Sequence, residues 1–287
     1  MDVNFRGCEF IMILPKLWAP NLEKLDISYC KNLVKLSKLR APNSKNLNLD
    51  YCKNLVEIDE YFGSLEKLKC WTLNNCSKLQ SLPSQLRLNS LYLFSLRRCP
   101  RLEKLPNFHQ EMKCLHYLYL AESGIREVPS SIEHLTMLGT LDLRNCKNLQ
   151  DLPDSIYKLQ QLRKLYTSTA KLRPMCNSFD SSSRYGFVKM KQLNFLYNKT
   201  IIELDLLMKP DYFPALERIY LSYTNIVTIP ESISRFPRLK SLDIRNCELL
   251  REIQGLPQSI MEVDAGNCRL LDTQSPSGLL NQVSLFL

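Results

Sequence analysis

A solenoid of the α/β class, about twelve coils long, is predicted by three observations. The first is a beat of cysteines: Cys8, Cys30, Cys52, Cys76, Cys99, Cys146, Cys247 and Cys268 each stand three residues after one apolar residue and three before another. Ser123, Ala170, Asn198 and Thr224 occupy the missing beats, so twelve markers follow one another at steps of 21 to 28 residues. The second is the apolar pattern around each marker. The unit Leu138, Leu141, Leu143, Cys146, Leu149, Leu152, Pro153 reads L-x-x-L-x-L-x-x-C-x-x-L-x-x-L-P, and Leu22 to Leu36, Leu91 to Leu105 and Leu239 to Ile253 repeat it. The third is the change of period inside a unit. Leu141-x-Leu143 alternates like a strand with one buried face, whereas the later spacing of three suits a chain returning in turns and 3₁₀ segments.

Together these form a leucine-rich-repeat signature. One unit cannot bury its leucines alone; stacked units share a continuous core, with their strands in one parallel sheet on the concave face of a horseshoe. Short helices or 3₁₀ turns are expected on the convex face. Pro129 to Leu135, Pro153 to Leu159 and Pro230 to Phe236 each place Ser, Asp or Glu after a proline and apolar residues three apart, which predicts one-turn helices there. A core leucine such as Leu141 is expected to contribute about 2–5 kcal/mol relative to alanine.

The marker position has a physical rationale. Backbone groups at the turn after each strand point inward and need partners. Asn commonly serves there; Cys is small, tolerates burial and offers a weak S–H donor. The predicted structural ladder is therefore Cys8, Cys30, Cys52, Cys76, Cys99, Ser123, Cys146, Asn198, Thr224, Cys247 and Cys268, and the coil of Ala170 lacks a side-chain donor. Asn198-Lys199-Thr200 has the form of a glycosylation sequon, but its ladder position argues against modification. The register also argues against disulfides, because neighbouring column cysteines should carry parallel Cβ vectors. Reduced, buried thiols predict a cytoplasmic chain, with the nucleus as a second compartment.

The repeat domain is expected over 1–272, with a loop insertion near 171–189, where the beat lengthens to 28 residues, and a C-terminal tail over 273–287. Val3, Phe5, Cys8, Ile11 and Leu14 match only the later part of a unit. The first coil is therefore expected to be incomplete and to expose apolar surface, either as a frayed coil or as the C-terminal part of something longer. No secretory signal pattern opens the chain, and no run approaches 18 apolar residues. The net charge of +9 is carried by lysines spread along the sequence, which reads as a solvated surface; neither nucleic acid nor membrane is expected as a partner.

No chemistry is legible. Phosphate-binding glycine loops, C-x-x-C pairs and H-E-x-x-H are missing from the sequence, and the three histidines share no spacing. No catalytic residue, cofactor or metal is predicted. Cys70, off the column and beside Trp71, is the one thiol expected on the sheet surface, where it could be reactive.

The working surface is expected on the concave face. Residues flanking the strand leucines face outward, and those columns hold Tyr29, Tyr51, Arg97, Arg98, Tyr117, Tyr119, Glu122, Asp142, Arg144, Tyr166, Tyr197, Tyr220, Tyr223 and Arg245. Tyr and Arg dominate interface energetics. Arg97, Arg98, Tyr117, Tyr119, Arg144, Tyr166, Tyr220 and Tyr223 form the candidate protein-binding strip. The Asp series (Asp26, Asp142, Asp243 and Asp264 in one strand column, with Asp205 outside it) reads as keeping the sheet surface soluble.

With Cys on the beat followed by x-x-L-x-x-L-P, the chain resembles the repeat region of plant intracellular immune receptors. The class is the one with a Toll/interleukin-1-receptor domain and a nucleotide-binding domain. The supporting segments are Leu141-Asp142-Leu143-Arg144-Asn145-Cys146-Lys147-Asn148-Leu149, Pro129 to Leu135, Leu256 to Ala265 and Met208 to Pro214. The resemblance implies a non-catalytic recognition module whose partners are pathogen effectors, a guarded host protein or the receptor's own nucleotide-binding domain. The signalling and nucleotide-binding domains themselves do not occur in this sequence. A generic cytosolic repeat scaffold or substrate adaptor with no immune role is the alternative.

Overall fold

The computed structural model describes residues 1–14, 17–36, 39–167, 186–197, 204, 210–271 and 284–286. It falls into two compact units, Met1–Leu159 and Gln160–Leu287. Both are parallel β-solenoids in which each coil adds one strand to a sheet.

In the first unit the sheet runs in chain order through β1 (Asp2–Asn4), β2 (Lys24–Asp26), β3 (Asn46–Asn48), β4 (Cys70–Thr72), β5 (Leu93–Ser95), β6 (Tyr117–Tyr119) and β7 (Thr140–Leu143). The register aligns the beat: Val3 pairs with Leu25, Leu25 with Leu47, Leu47 with Trp71, Trp71 with Phe94, Phe94 with Leu118 and Leu118 with Leu141. From Leu25 to Leu141 this central column is buried. In the second unit the strands are β8 (Lys164–Thr167), β9 (Gln192–Asn194), β10 (Arg218–Tyr220), β11 (Ser241–Asp243), β12 (Glu262–Asp264) and β13 (Ser284–Phe286). Residues 284–286, expected in a tail, instead pair in parallel with β12, Val263 opposite Leu285.

Each coil returns through turns and two-residue strands such as Lys35–Leu36 and Glu57–Ile58. The three predicted one-turn helices are 3₁₀ segments, at Ser130–His134, Asp154–Lys158 and Glu231–Arg235, each burying its isoleucine. Their N-terminal prolines make no side-chain cap. A further 3₁₀ segment, Glu60–Ser64, has no such proline; Asp59 caps it by accepting from Tyr61 N, and it buries Phe62. The first coil exposes apolar side chains as expected, with Phe10 95% and Trp18 69% accessible. The expected loop insertion falls almost wholly, and Ala170 and Asn198 entirely, outside the described residues.

Candidate functional site

The cysteine column works as a donor ladder. Each thiol donates across to the carbonyl three residues before the marker of the preceding coil: Cys30 to Phe5, Cys52 to Ile27, Cys76 to Leu49, Cys99 to Leu73, Cys146 to Leu120, Cys247 to Leu221 and Cys268 to Ile244, at 3.0–3.2 Å. The hydroxyls of Ser123 and Thr224 each lie 3.5 Å from the next coil's thiol, Cys146 and Cys247. Cys8, in the first coil, is half-buried. Burial pushes the thiols of Cys52 and Cys99 up to about 12, and those of Cys30, Cys76 and Cys146 upward as well. Cys70 differs from the sequence expectation of a reactive thiol: it is partly covered, and burial raises it too, so nothing favours its thiolate.

Among the described residues, the one just before each marker takes a left-handed conformation. Tyr29, Tyr51, Asn75, Arg98, Glu122, Asn145, Tyr197, Tyr223, Asn246 and Asn267 have φ between 54° and 64°, and Gly7 has 72°. This conformation aims the backbone N–H at the next coil: Tyr29 N donates to Asp50 O, Tyr51 N to Asn74 O, Arg98 N to Ala121 O and Tyr223 N to Arg245 O. The turn is prepared by the last strand residue. Side-chain oxygens of Asn4, Asp26, Asn48, Asn194, Asp243 and Asp264 accept the N–H two residues on, at 2.8–3.3 Å. The Asp series, apart from Asp205, which lies outside the described residues, therefore caps turns rather than merely solubilising the sheet.

Two consequences correct the strip. Arg97, Arg98, Arg144 and Tyr223 are turn residues, not strand residues, and Arg98 and Tyr223 hold the left-handed position of their turns; Arg98 pairs with Glu122 at 3.2 Å. Tyr223 stacks on Tyr197 at 4.9 Å in the second unit, where Tyr166 (β8) and Tyr220 (β10) also belong. What the first unit does assemble is Arg97, Tyr117, Tyr119 and Arg144. The Arg97 guanidinium lies 4.0 Å from the Tyr119 ring centroid and reaches Asp142 at 3.3 Å. Arg144 holds Asp142 with two hydrogen bonds of 2.8 Å, in the bidentate arrangement that makes such pairs strong. Tyr117 stacks on Tyr119 at 6.0 Å, and Tyr92 packs edge-on against Tyr117 at 5.3 Å and against His116 at 4.7 Å. Burial raises the Tyr119 phenol, while Arg97 pulls it the other way.

Asp142 is the hub of this cluster, and its side chain is only 1% accessible. Sequence reasoning placed it among soluble aspartates. Its signal was the tripeptide Asp142-Leu143-Arg144, repeated as Asp243-Ile244-Arg245, where Arg245 again chelates the Asp and Ser222 also donates to it. Tyr92 was missed because it precedes its strand. Arg144→Ala leaves a buried carboxylate with Arg97 as its remaining cation. The expected loss is about 2–3 kcal/mol, below the cost of a fully orphaned charge, measurable by urea unfolding.

Tyrosine in the left-handed turn is expensive. The conformation costs a non-glycine residue roughly 1–2 kcal/mol, and Asn tolerates it far better. Tyr29 and Tyr51 stack at 4.5 Å with planes 10° apart, yet such a pair returns only about 0.5–1.5 kcal/mol. The fold at these positions would be better served by Asn.

On the return side, an open groove of about 840 Å³ is lined by Pro83, Arg101, Lys104, Pro106, Glu127 and Pro129 among others. Among the described residues no group of His, Cys, Asp or Glu could hold a metal ion.

Strand register, donor ladder and return turns define a leucine-rich-repeat protein, and the fold is shared with an internalin of Listeria monocytogenes, InlF. That structure superimposes with a TM-score of 0.50 at 16% identity, covering 86% of this chain and 81% of the other. The chain belongs to the family of leucine-rich repeats of RPS4B-like disease resistance proteins, whose model matches residues 87–272. A probable disease resistance protein of Arabidopsis thaliana is 36% identical over 238 residues, 74% of this chain and 13% of the relative. The disease resistance-like protein DSC1 of the same plant is 28% identical over 75% of this chain and 16% of its own length. TMV resistance protein N of Nicotiana glutinosa is 31% identical over 42% of the chain and 9% of its length. The chain thus spans about a sixth or less of these relatives. Among the described residues no helix is long and apolar enough to cross a membrane.

Proposed function

We propose that this chain is the non-catalytic recognition module of a plant intracellular immune receptor of the Toll/interleukin-1-receptor, nucleotide-binding class. Its sheet face contacts a pathogen effector or a guarded host protein and restrains the receptor's nucleotide-binding domain, in the cytoplasm or nucleus. The observation that carries this reading is the Arg97–Tyr119–Asp142–Arg144 cluster with Tyr117 and Tyr92 beside it. Rigid aromatic and arginine side chains, pre-ordered by a buried carboxylate, are what a protein interface uses as anchors. Membership in the disease resistance family supports the immune setting, and the buried ladder thiols of Cys30, Cys52, Cys76, Cys99 and Cys146, held neutral by burial, suit a reducing compartment.

The test is a binding titration against the separately expressed nucleotide-binding domain of a plant disease resistance relative, and against effectors that such receptors detect. Tyr119→Ala, which leaves the Asp142–Arg144 pair in place, is expected to weaken binding tenfold or more, about 1.4 kcal/mol, with an unchanged far-ultraviolet spectrum. Equal affinities for the variant and the parent would remove the strip from the interface. A chain that binds neither class of protein would favour the scaffold reading.

A further inference from the structure

We propose that the turn edge formed by Arg6, Tyr29, Lys31, Tyr51 and Lys53 is a second docking surface, separate from the strip, that takes an acidic segment of a partner protein. Three observations converge on it. Tyr29 and Tyr51 occupy left-handed turn positions, with φ of 62° each, of the kind that Asn fills at 75, 145, 246 and 267 and Gly at 7. Tyr29 is exposed and Tyr51 half-buried, and strain retained where the fold could relieve it points to a role outside the fold. The two rings stack in parallel, and the Arg6 guanidinium lies 4.8 Å from the Tyr29 centroid, so one end of the stack already carries a cation. Lys31 and Lys53 follow the tyrosines by two residues in the same tight turns, Lys53 N donating to Tyr51 O at 2.9 Å. Both lysines are exposed, and neither forms an ion pair among the described residues.

The surrounding charges leave the edge open to carboxylates. Glu9, also exposed, is the acidic residue of the same turn column. Asp26 ends β2 and Asp50 stands in the turn before Tyr51, and their Oδ1 atoms are taken by Ser28 N and Asn74 N. A flat aromatic pair with Arg6 over one ring and an exposed lysine two residues after each tyrosine suits a peptide carrying Glu or Asp beside an apolar side chain. Three cations fall short of the roughly 6–10 phosphate contacts that give nucleic-acid binding its strength, so a protein segment is favoured over a single strand.

The probe is a short fluorescein-labelled peptide rich in Glu and Asp with one Trp, titrated into the whole chain by anisotropy beside an oligothymidylate of equal charge. Tyr29→Asn/Tyr51→Asn is expected to raise the thermal midpoint by about 2 °C and to weaken the peptide tenfold or more, and Lys31→Gln/Lys53→Gln to weaken it similarly. Tyr119→Ala should leave it unchanged, which separates this edge from the strip. A midpoint that stays or falls in the Asn variant would overturn the strain argument. The docking assignment would be overturned by peptide binding that ignores both double variants, by an absence of binding, or by tyrosine-dependent binding of the oligothymidylate that is tighter than that of the peptide.

Discussion

Raising the pH from about 9 to about 12 is expected to unfold the chain cooperatively, well before its backbone hydrogen bonds would fail. The cause is the cysteine column. Cys52 and Cys99 lie at 0% accessibility, and burial pushes each thiol from 9.0 up to about 12. The sign follows from linkage. A thiol that stays protonated in the folded coil but ionises in the unfolded chain contributes fully below its unfolded value. That contribution drains away as the pH climbs toward the folded value. That rise corresponds to about 4 kcal/mol at most for each of these two thiols; Cys30, Cys76 and Cys146 add to the same slope, while in the hydrogen-bonded Cys247–Cys268 pair Cys268 is raised and Cys247, lowered to about 7, opposes it. Urea unfolding at pH 8, 9, 10 and 11 measures it. Cys52→Ala should be less stable at pH 8, having lost its bond to Ile27 O, yet show a shallower decline above pH 9. Parallel declines for the variant and the parent would mean that the column does not set the alkaline limit.

Leu118→Ala is expected to destabilise the first unit by about 2–5 kcal/mol. Leu118 is fully buried in β6, paired with Phe94 on one side and Leu141 on the other. A solenoid coil draws its stability from its two neighbours, so a cavity here weakens both interfaces at once. Thermal unfolding should drop and broaden, since coils on either side of the cavity lose their coupling. A loss under about 1 kcal/mol would show that the coils relax into the space, contrary to the close packing expected of a buried interior.

How far the sequence was legible depended on how much chain each signal spanned. The leucine and cysteine beat predicted strand, register and burial, because a residue repeated in every coil must occupy the same environment in each. The turn was harder. Its left-handed residue is Asn at 75, 145, 246 and 267 but Tyr, Arg or Glu elsewhere, so local propensity pointed the wrong way at the positions where coil-to-coil hydrogen bonding prevails. Alternation was also carried too far. Most strands are only three residues long, which placed Arg98 and Tyr223 on a face that the chain has already left. Asp142 escaped notice because charge patterning reads an Asp as solvated; its burial depends on Arg144 two residues away and on Arg97 from two coils earlier. The 3₁₀ turn at Glu60–Ser64 lacked the proline that marked the others, and only the Asp59 cap betrays it.

On the proposed function, a partner protein docks on the aromatic and arginine cluster of the first unit's sheet. Hydrogen exchange measured by mass spectrometry, with and without a bound effector or nucleotide-binding domain, tests it most directly. New protection is expected in the turn segments that follow β5, β6 and β7, around Arg97, Ala121 and Arg144, with the 3₁₀ segments Ser130–His134 and Asp154–Lys158 unchanged. Protection concentrated on those 3₁₀ segments or on the proline-lined groove, with the sheet turns unaffected, would contradict it.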